Sequence, residues 1–233
     1  MRVVFMGTPD FSVPCLNALV EAGHEVMAVV TQPDRPRGRG QQMAHSPVKA
    51  AALSFGLKIL QPSKVREADF IATLKELAPE VIVVVAFGQI LPGEILDLPL
   101  KGCINVHASL LPKYRGAAPI HWAVIEGEKQ TGVTTMYMDR GLDTGDMLLK
   151  GTVEIGESAT VGEVHDKLAD LGARVLIETL ANLDKIERLP QDHAASTYAP
   201  MLTREHEQIN WGQDRGTVVN LIHGLNPWPG AYT

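Results

Sequence analysis

The chain has 233 residues, 45% of them hydrophobic, and a formal net charge of -6. That length supports one substantial core or a domain with a smaller unit attached. The acidic balance argues against a surface that coats nucleic acid generally, though not against a local basic patch. No apolar run approaches the ~20 residues a bilayer-crossing helix needs. The two cysteines, Cys15 and Cys103, lie in apolar stretches far apart; they read as buried reduced thiols in a cytoplasmic protein, and no Cys/His cluster has zinc-ligand spacing.

Arg2 to Met6 is expected as a first strand and not a signal peptide, with GTPD as the tight turn after it. Phe11 to Ala22 carries Val13, Leu16, Leu19 and Val20 at helical spacing and stops at Gly23, and Glu25 to Thr31 predicts a second strand. This βαβ opening points to an α/β fold: a doubly wound, mostly parallel, Rossmann-like sheet with helices on both faces. The first turn lacks G-x-G-x-x-G, so no dinucleotide is expected. Gln32 to Gln42 holds Arg35, Arg37 and Arg39 among Pro33, Pro36, Gly38 and Gly40, which predicts no regular structure. Taken alone it is either a solvated loop or a basic arm for a phosphate-bearing partner that orders it.

Ser46 and Pro47 start a helix running to Phe55, Lys58 to Leu60 is a short strand, and Glu67 to Leu77 a helix. Glu80 to Ala86, apolar throughout, predicts a central strand buried on both faces, with the FGQILP loop at its carboxyl end. Cys103 to His107 predicts another buried strand, and Ala118 to Glu126 a helix. Gly132 to Met138 and Met147 to Ile155 are strands expected to pair antiparallel across the turn Asp139 to Asp146, and Thr160 to Leu183 is a long amphipathic helix. The expected division is a catalytic domain over 1–189, a linker over 190–206, and over 207–233 the start of a truncated second domain, with Thr217 to Leu225 helical.

Asn105 and His107 are two apart on a strand, so both side chains point to one face. Burying them costs free energy unless they are hydrogen-bonded, so they are either a satisfied structural pair or functional groups. With a carboxylate from DRGLDTGD, expected at a strand's carboxyl end, they make a set suited to acyl transfer. The amide donates to a developing oxyanion, and the imidazole does likewise or moves a proton. The carboxylate holds the imidazole and helps remove a proton. No nucleophile elbow is present, which favours direct transfer over an acyl-enzyme. Spacing does not choose between Asp143 and Asp146.

INVHASLLPKYRGAAPI followed by DRGLDTGD resembles the formyltransferase family that uses 10-formyltetrahydrofolate. GTPDFSVP, QPDRPRGRG and NPWPGA narrow the likeness to the branch acting on methionine carried by initiator tRNA, and the match runs the length of the chain. The resemblance implies that Asn105, His107 and Asp143 are catalytic. It implies a folate co-substrate, with no metal, embraced by Phe87, Gly88, Gln89, Ile90 and Leu91, by Ser109, Leu110, Leu111 and Pro112, and by Asp139 and Leu142. Arg35, Arg37 and Arg39 would approach the tRNA acceptor end. The implied enzyme is cytoplasmic, makes no membrane contact, and serves translation initiation; a monomer is expected, although the sequence itself does not give the oligomeric state. The alternatives are a small-amine acceptor (glycinamide ribonucleotide or an amino-sugar nucleotide), hydrolysis of the same donor, and a binding module without catalysis.

Overall fold

The computed structural model describes residues 1–37 and 42–233. In chain order these residues form β1 (Arg2–Gly7), α1 (Val13–Glu21), β2 (Glu25–Val30), β3 (Arg35–Arg37), β4 (Gln42–Ala44), α2 (Pro47–Ser54), β5 (Ile59–Leu60), α3 (Ala68–Leu77), β6 (Val81–Val85) and α4 (Gly93–Leu96). Then follow β7 (Cys103–His107), β8 (Arg115–Gly116), α5 (Pro119–Ile125), β9 (Gln130–Tyr137), β10 (Met147–Glu154), α6 (Val161–Asn182), β11 (Tyr198–Ala199) and α7 (Arg215–Gly224).

A seven-stranded sheet has the order β10-β9-β7-β6-β1-β2-β5. The run β7-β6-β1-β2-β5 is parallel, while β9 runs antiparallel to both β7 and β10. The chain winds outward from β1 through β2 to β5, then returns to the other side of β1 at β6. A crevice opens at such a reversal, beyond the carboxyl ends of the strands.

Every residue of β6, VIVVV, is buried, as a strand covered on both faces must be. Alternation then sorts the core. Val81, Val83 and Val85 join Ile104 and Val106 against α1, α2, α5 and α6, whereas Ile82, Val84 and Cys103 meet Phe70, Ile71, Leu74 and Ile95 of α3 and α4. The long α6 starts with a capping box: Thr160 accepts from the Glu163 amide while Glu163 takes the Thr160 N–H. Burial pushes the thiols of Cys15 and Cys103 up to about 12, so both stay protonated packing groups.

The arginine segment departs from expectation. Arg35–Arg37 pairs antiparallel with Gln42–Ala44, and Pro36 sits within this short ribbon opposite Met43 instead of abolishing it. Pro36 is tolerated because this two-stranded ribbon has a free edge on both strands. The hairpin base is pinned by Asp34, whose carboxyl is held down to about 2, first by the Lys49 ammonium (2.6 Å) and then by the Gln61 amide (2.9 Å). Arg39 lies outside the described residues.

The carboxyl-terminal stretch packs on α5 and α6 through aromatic rings. Trp228 meets His121 edge-on at 6.2 Å and His165 at 5.3 Å. His121 Nε2 is buried with no hydrogen-bond partner among the described residues. Burial lowers its pKa from 6.5, so the fold favours the neutral ring. The unfolded chain then binds more protons near pH 6, and stability falls as pH drops through about 6.5. Thermal melts from pH 7.5 to 5.5 should show a falling Tm, and His121→Phe should flatten that slope; an unchanged slope would remove His121 as its source.

Candidate active site

Alternation along β7 sends Ile104 and Val106 into the core under α6 and turns Asn105 and His107 to the opposite face. Both are buried, at 9% and 6% exposure. Asn105 Nδ2 donates to Asp143 Oδ1 at 3.4 Å, and His107 Nδ1 lies 3.7 Å from Asp143 Oδ2. The structure thus brings Asn105, His107 and Asp143 together, and among the described residues no hydrogen bond links Asp146 to either side chain. Asp146 instead closes the turn, its carbonyl accepting from the Tyr137 N–H at 2.9 Å.

The carboxylate comes from the carboxyl end of β9, as expected, but that end lies on the opposite edge from the carboxyl end of β7. β9 is antiparallel to β7, so the segment after Tyr137 starts beside Cys103, at the amino end of β7. From there it folds back over the sheet face to reach Asn105. Gly145 allows the tight return, since a Cβ there would lie 1.9 Å from the Tyr137 carbonyl oxygen. Asp143 sits in the left-handed region, φ 52°, and its Oδ2 accepts from the Gly116 N–H at 2.9 Å.

The carboxylate does not hold the imidazole by a hydrogen bond. His107 Nε2 donates to the Tyr114 carbonyl at 2.9 Å, since a carbonyl only accepts. That fixes the proton on Nε2 and leaves Nδ1 as the nitrogen facing Asp143 and open to chemistry.

Of the other predicted residues, Phe87 and Leu91 are buried in the α3/α4 side of the core, and Leu111 packs with Met136 and Met147. Gly88 has φ 87°, and the Gln89 side chain is spent on Val65 N and Gln32. Ser109 is fully buried and its hydroxyl donates to the Lys113 carbonyl at 2.6 Å; Leu110 and Pro112 are half-buried beside it. Asp139 is occupied by the Thr144 hydroxyl and the Gly141 N–H. Ile90 and Leu142 stand out to solvent at 86% and 51% exposure, one on each flanking loop. Arg140 lies close to the start of α4: a Cβ on Gly93 would be 3.3 Å from its guanidinium. Exposed apolar side chains on the two loops suit a flat aromatic ligand. Arg35 is exposed at the foot of its hairpin, away from the trio in sequence and in sheet position.

The formyl transferase family model matches residues 1–180, and the model of the formyl transferase carboxyl-terminal domain matches residues 201–233. The chain belongs to the formyl transferase family. It is 59% identical to the methionyl-tRNA formyltransferase of Desulforamulus reducens and 61% identical to that of Pelotomaculum thermopropionicum, covering all of this chain and 74% and 75% of those relatives. Among solved structures it resembles a sugar N-formyltransferase from a Shewanella species, with TM-score 0.76, 20% identity, and coverage of 100% of this chain and 92% of that one. It also resembles a 4-N formyltransferase from Francisella tularensis, with TM-score 0.77, 15% identity, and coverage of 99% and 91%. HypX from Aquifex aeolicus in complex with tetrahydrofolic acid shares the fold over 99% of this chain and 35% of its own, at TM-score 0.72 and 19% identity. At such identities these structures speak to fold.

The site of this formyl transferase family member has more parts than sequence reasoning found. The Tyr114 carbonyl and the Gly116 amide are backbone groups, and no residue-type signal marks them. Arg115 and Gln191 are both buried, yet they sit in stretches that read as loop and linker. No helix among the described residues is long and apolar enough to cross a membrane.

Proposed function

We propose that this chain transfers the formyl group of 10-formyltetrahydrofolate to the α-amine of methionyl-initiator tRNA in a direct, single displacement. The observation that carries the reading is the convergence of Asn105, His107 and Asp143 on one point of the β7 face, with the Ser109 hydroxyl bonded to the Lys113 carbonyl and no nucleophile elbow in the sequence. Family membership supplies the donor class, and relatives bearing the methionyl-tRNA formyltransferase name at 59–61% identity support the acceptor. Residues 1–189 act as the catalytic domain, 190–206 connect it, and 207–233 belong to the carboxyl-terminal domain. The setting is the cytoplasm, and the working unit a monomer.

In the mechanism, the neutral amine attacks the formyl carbon. Asn105 Nδ2 donates to the formyl oxygen as it becomes an oxyanion, an interaction worth ~3 kcal/mol in comparable sites. His107, fixed by Tyr114, presents Nδ1 to the same centre. Asp143, whose carboxylate lies 3.7 Å from that nitrogen, takes up the amine proton through the ring or a water. The new carbon–nitrogen bond forms as the bond to the donor nitrogen breaks, and the proton ends on that departing nitrogen. The loops carrying Ile90 and Leu142 would hold the donor's aromatic body.

The test follows the labelled formyl group with charged initiator tRNA, with a small amine, and with water alone as acceptor. Label on the aminoacyl-tRNA is the expected result. Release as formate without tRNA, or transfer to the small amine in preference, would overturn the acceptor assignment.

Arg35, Arg37 and Arg39 are read as a basic arm for the acceptor end. Replacing all three with alanine should weaken tRNA binding and flatten the dependence of log K on log salt by roughly one unit per lost phosphate contact. The hairpin anchor at Asp34 is spared by this substitution, so an unchanged salt slope would remove the arm from the interface.

A further inference from the structure

The segment after residue 189 bonds to the turn that carries Asp143 and to residues 114–116, which hold His107 and Asp143. Gln191 is buried, and all its side-chain hydrogen-bonding capacity is used. Its Nε2 donates to the carbonyls of Asp143 and Gly145, both at 2.8 Å, and its Oε1 accepts from Arg115 Nε at 2.9 Å and Nη2 at 2.7 Å. Arg115 Nη1 also donates to His193 Nδ1 at 3.2 Å.

Further along, the Thr197 hydroxyl accepts from the Tyr114 N–H at 2.8 Å, and Tyr198–Ala199 pairs with Arg115–Gly116. The N–H groups of Arg115 and Ala117 donate to the carbonyls of Thr197 and Ala199. Residues 114–116 are therefore held between two partners. One side carries the Tyr114 carbonyl that takes the His107 proton and the Gly116 N–H that binds the Asp143 carboxylate; the other side is bonded to residues 197–199.

We propose that residues 191–199 form a positioning strap for the catalytic trio, with Gln191 as its principal positioning residue. Gln191 touches no reacting atom. Its amide clamps both peptide carbonyls flanking the turn from Asp143 to Gly145, which keeps Asp143 in its left-handed conformation with the carboxylate aimed at β7. Arg115 fixes the orientation of the amide: with two guanidinium donors on the oxygen, the NH2 group must face the carbonyls. An error of about 1 Å in a catalytic group costs on the order of 10²-fold in rate, so a residue that sets this geometry is visible in kcat. The inference rests on the trio being catalytic, as read above.

Two variants separate the parts of the clamp. Gln191→Met keeps the volume and removes all four hydrogen bonds. Gln191→Glu still accepts from Arg115 but has no proton for the carbonyls. Formyl transfer to charged initiator tRNA is measured with both substrates varied, alongside thermal melts. Both variants should lower kcat by on the order of 10²-fold, with KM for folate and for tRNA within about two-fold of the parent.

A purely structural role gives a different result: a lower Tm with parental kcat in the folded fraction, and that overturns the proposal. Parental kcat in Gln191→Glu alone also overturns it, because donation to the two carbonyls is then unnecessary. Thr197→Val, at an exposed position, carries the same test if the buried site does not tolerate change. A roughly 10-fold loss in kcat at constant KM is expected, and an unaltered kcat counts against the strap. If the parent itself transfers nothing while binding folate, the functional reading falls and takes the strap with it. If the parent transfers and the variants match it, the strap alone falls.

Discussion

Replacing His107 with alanine is expected to lower kcat for formyl transfer by about 10³-fold while leaving the fold intact. An imidazole can both hydrogen-bond a developing oxyanion and relay a proton. General acid–base and oxyanion contributions of this kind are each worth 10² or more in rate. Its structural role is small by comparison. The ring makes one hydrogen bond, to the Tyr114 carbonyl, and losing such a bond costs about 1 kcal/mol. Much of the support for residues 114–116 comes from the opposite side, through Thr197 and Ala199. Single-turnover transfer and a thermal melt on the same preparation separate the two effects. A rate within ten-fold of the parent in a folded variant would remove His107 from the chemistry.

The second large effect is expected at Gly116, where substitution should damage stability and rate together. Its φ is 113°, a conformation that side-chain-bearing residues rarely adopt, and an added Cβ would meet the Tyr198 ring at 2.6 Å and the Ala199 carbonyl at 2.7 Å. Backbone strain and overpacking each cost ~1–3 kcal/mol, so Gly116→Ala should lose about 3 kcal/mol, which for a domain of this size lowers Tm by roughly 6–12 °C. The amide of Gly116 also holds the Asp143 carboxylate, so kcat should fall in the protein that remains folded. Gly230→Ala is the control. There φ is 96° but nothing lies within 4 Å of the new Cβ, leaving strain without collision. Equal losses at the two positions would mean that contact with Tyr198 and Ala199 is immaterial.

How much of this was readable in the chain follows the range of the forces involved. Strand β6 was legible because five consecutive aliphatic residues need cover on both faces. α6 was legible because its apolar residues recur at helical spacing and Thr160 and Glu163 form a capping box three residues apart. Each of these signals acts within about one turn or one pleat. The arginine hairpin was missed because its pairing is fixed from outside, by Lys49 and Gln61 gripping Asp34. The stretch 190–206 reads as a linker because its apolar residues are few. In the fold it gains its order from hydrogen bonds to residues about 80 positions earlier, such as Thr197 to Tyr114 and Gln191 to Arg115.

The site divides along the same line. Period-two alternation alone places Asn105 and His107 on one face of β7, and it needs nothing beyond neighbouring residues. The family, the doubly wound sheet and the absence of a nucleophile elbow also follow from residue types in order. Spacing left Asp143 and Asp146 open and the resemblance implied Asp143; that Asp143 lies beside Asn105 and His107 is a matter of the fold. It depends on β9 running against β7, on Gly145 letting the chain double back under Tyr137, and on a left-handed turn at Asp143 held by Gly116 and Gln191. The state of His107 likewise depends on a carbonyl seven residues away. Backbone donors and acceptors are the same for nearly every residue type, so their placement carries no sequence signature, and only the tertiary structure assigns them.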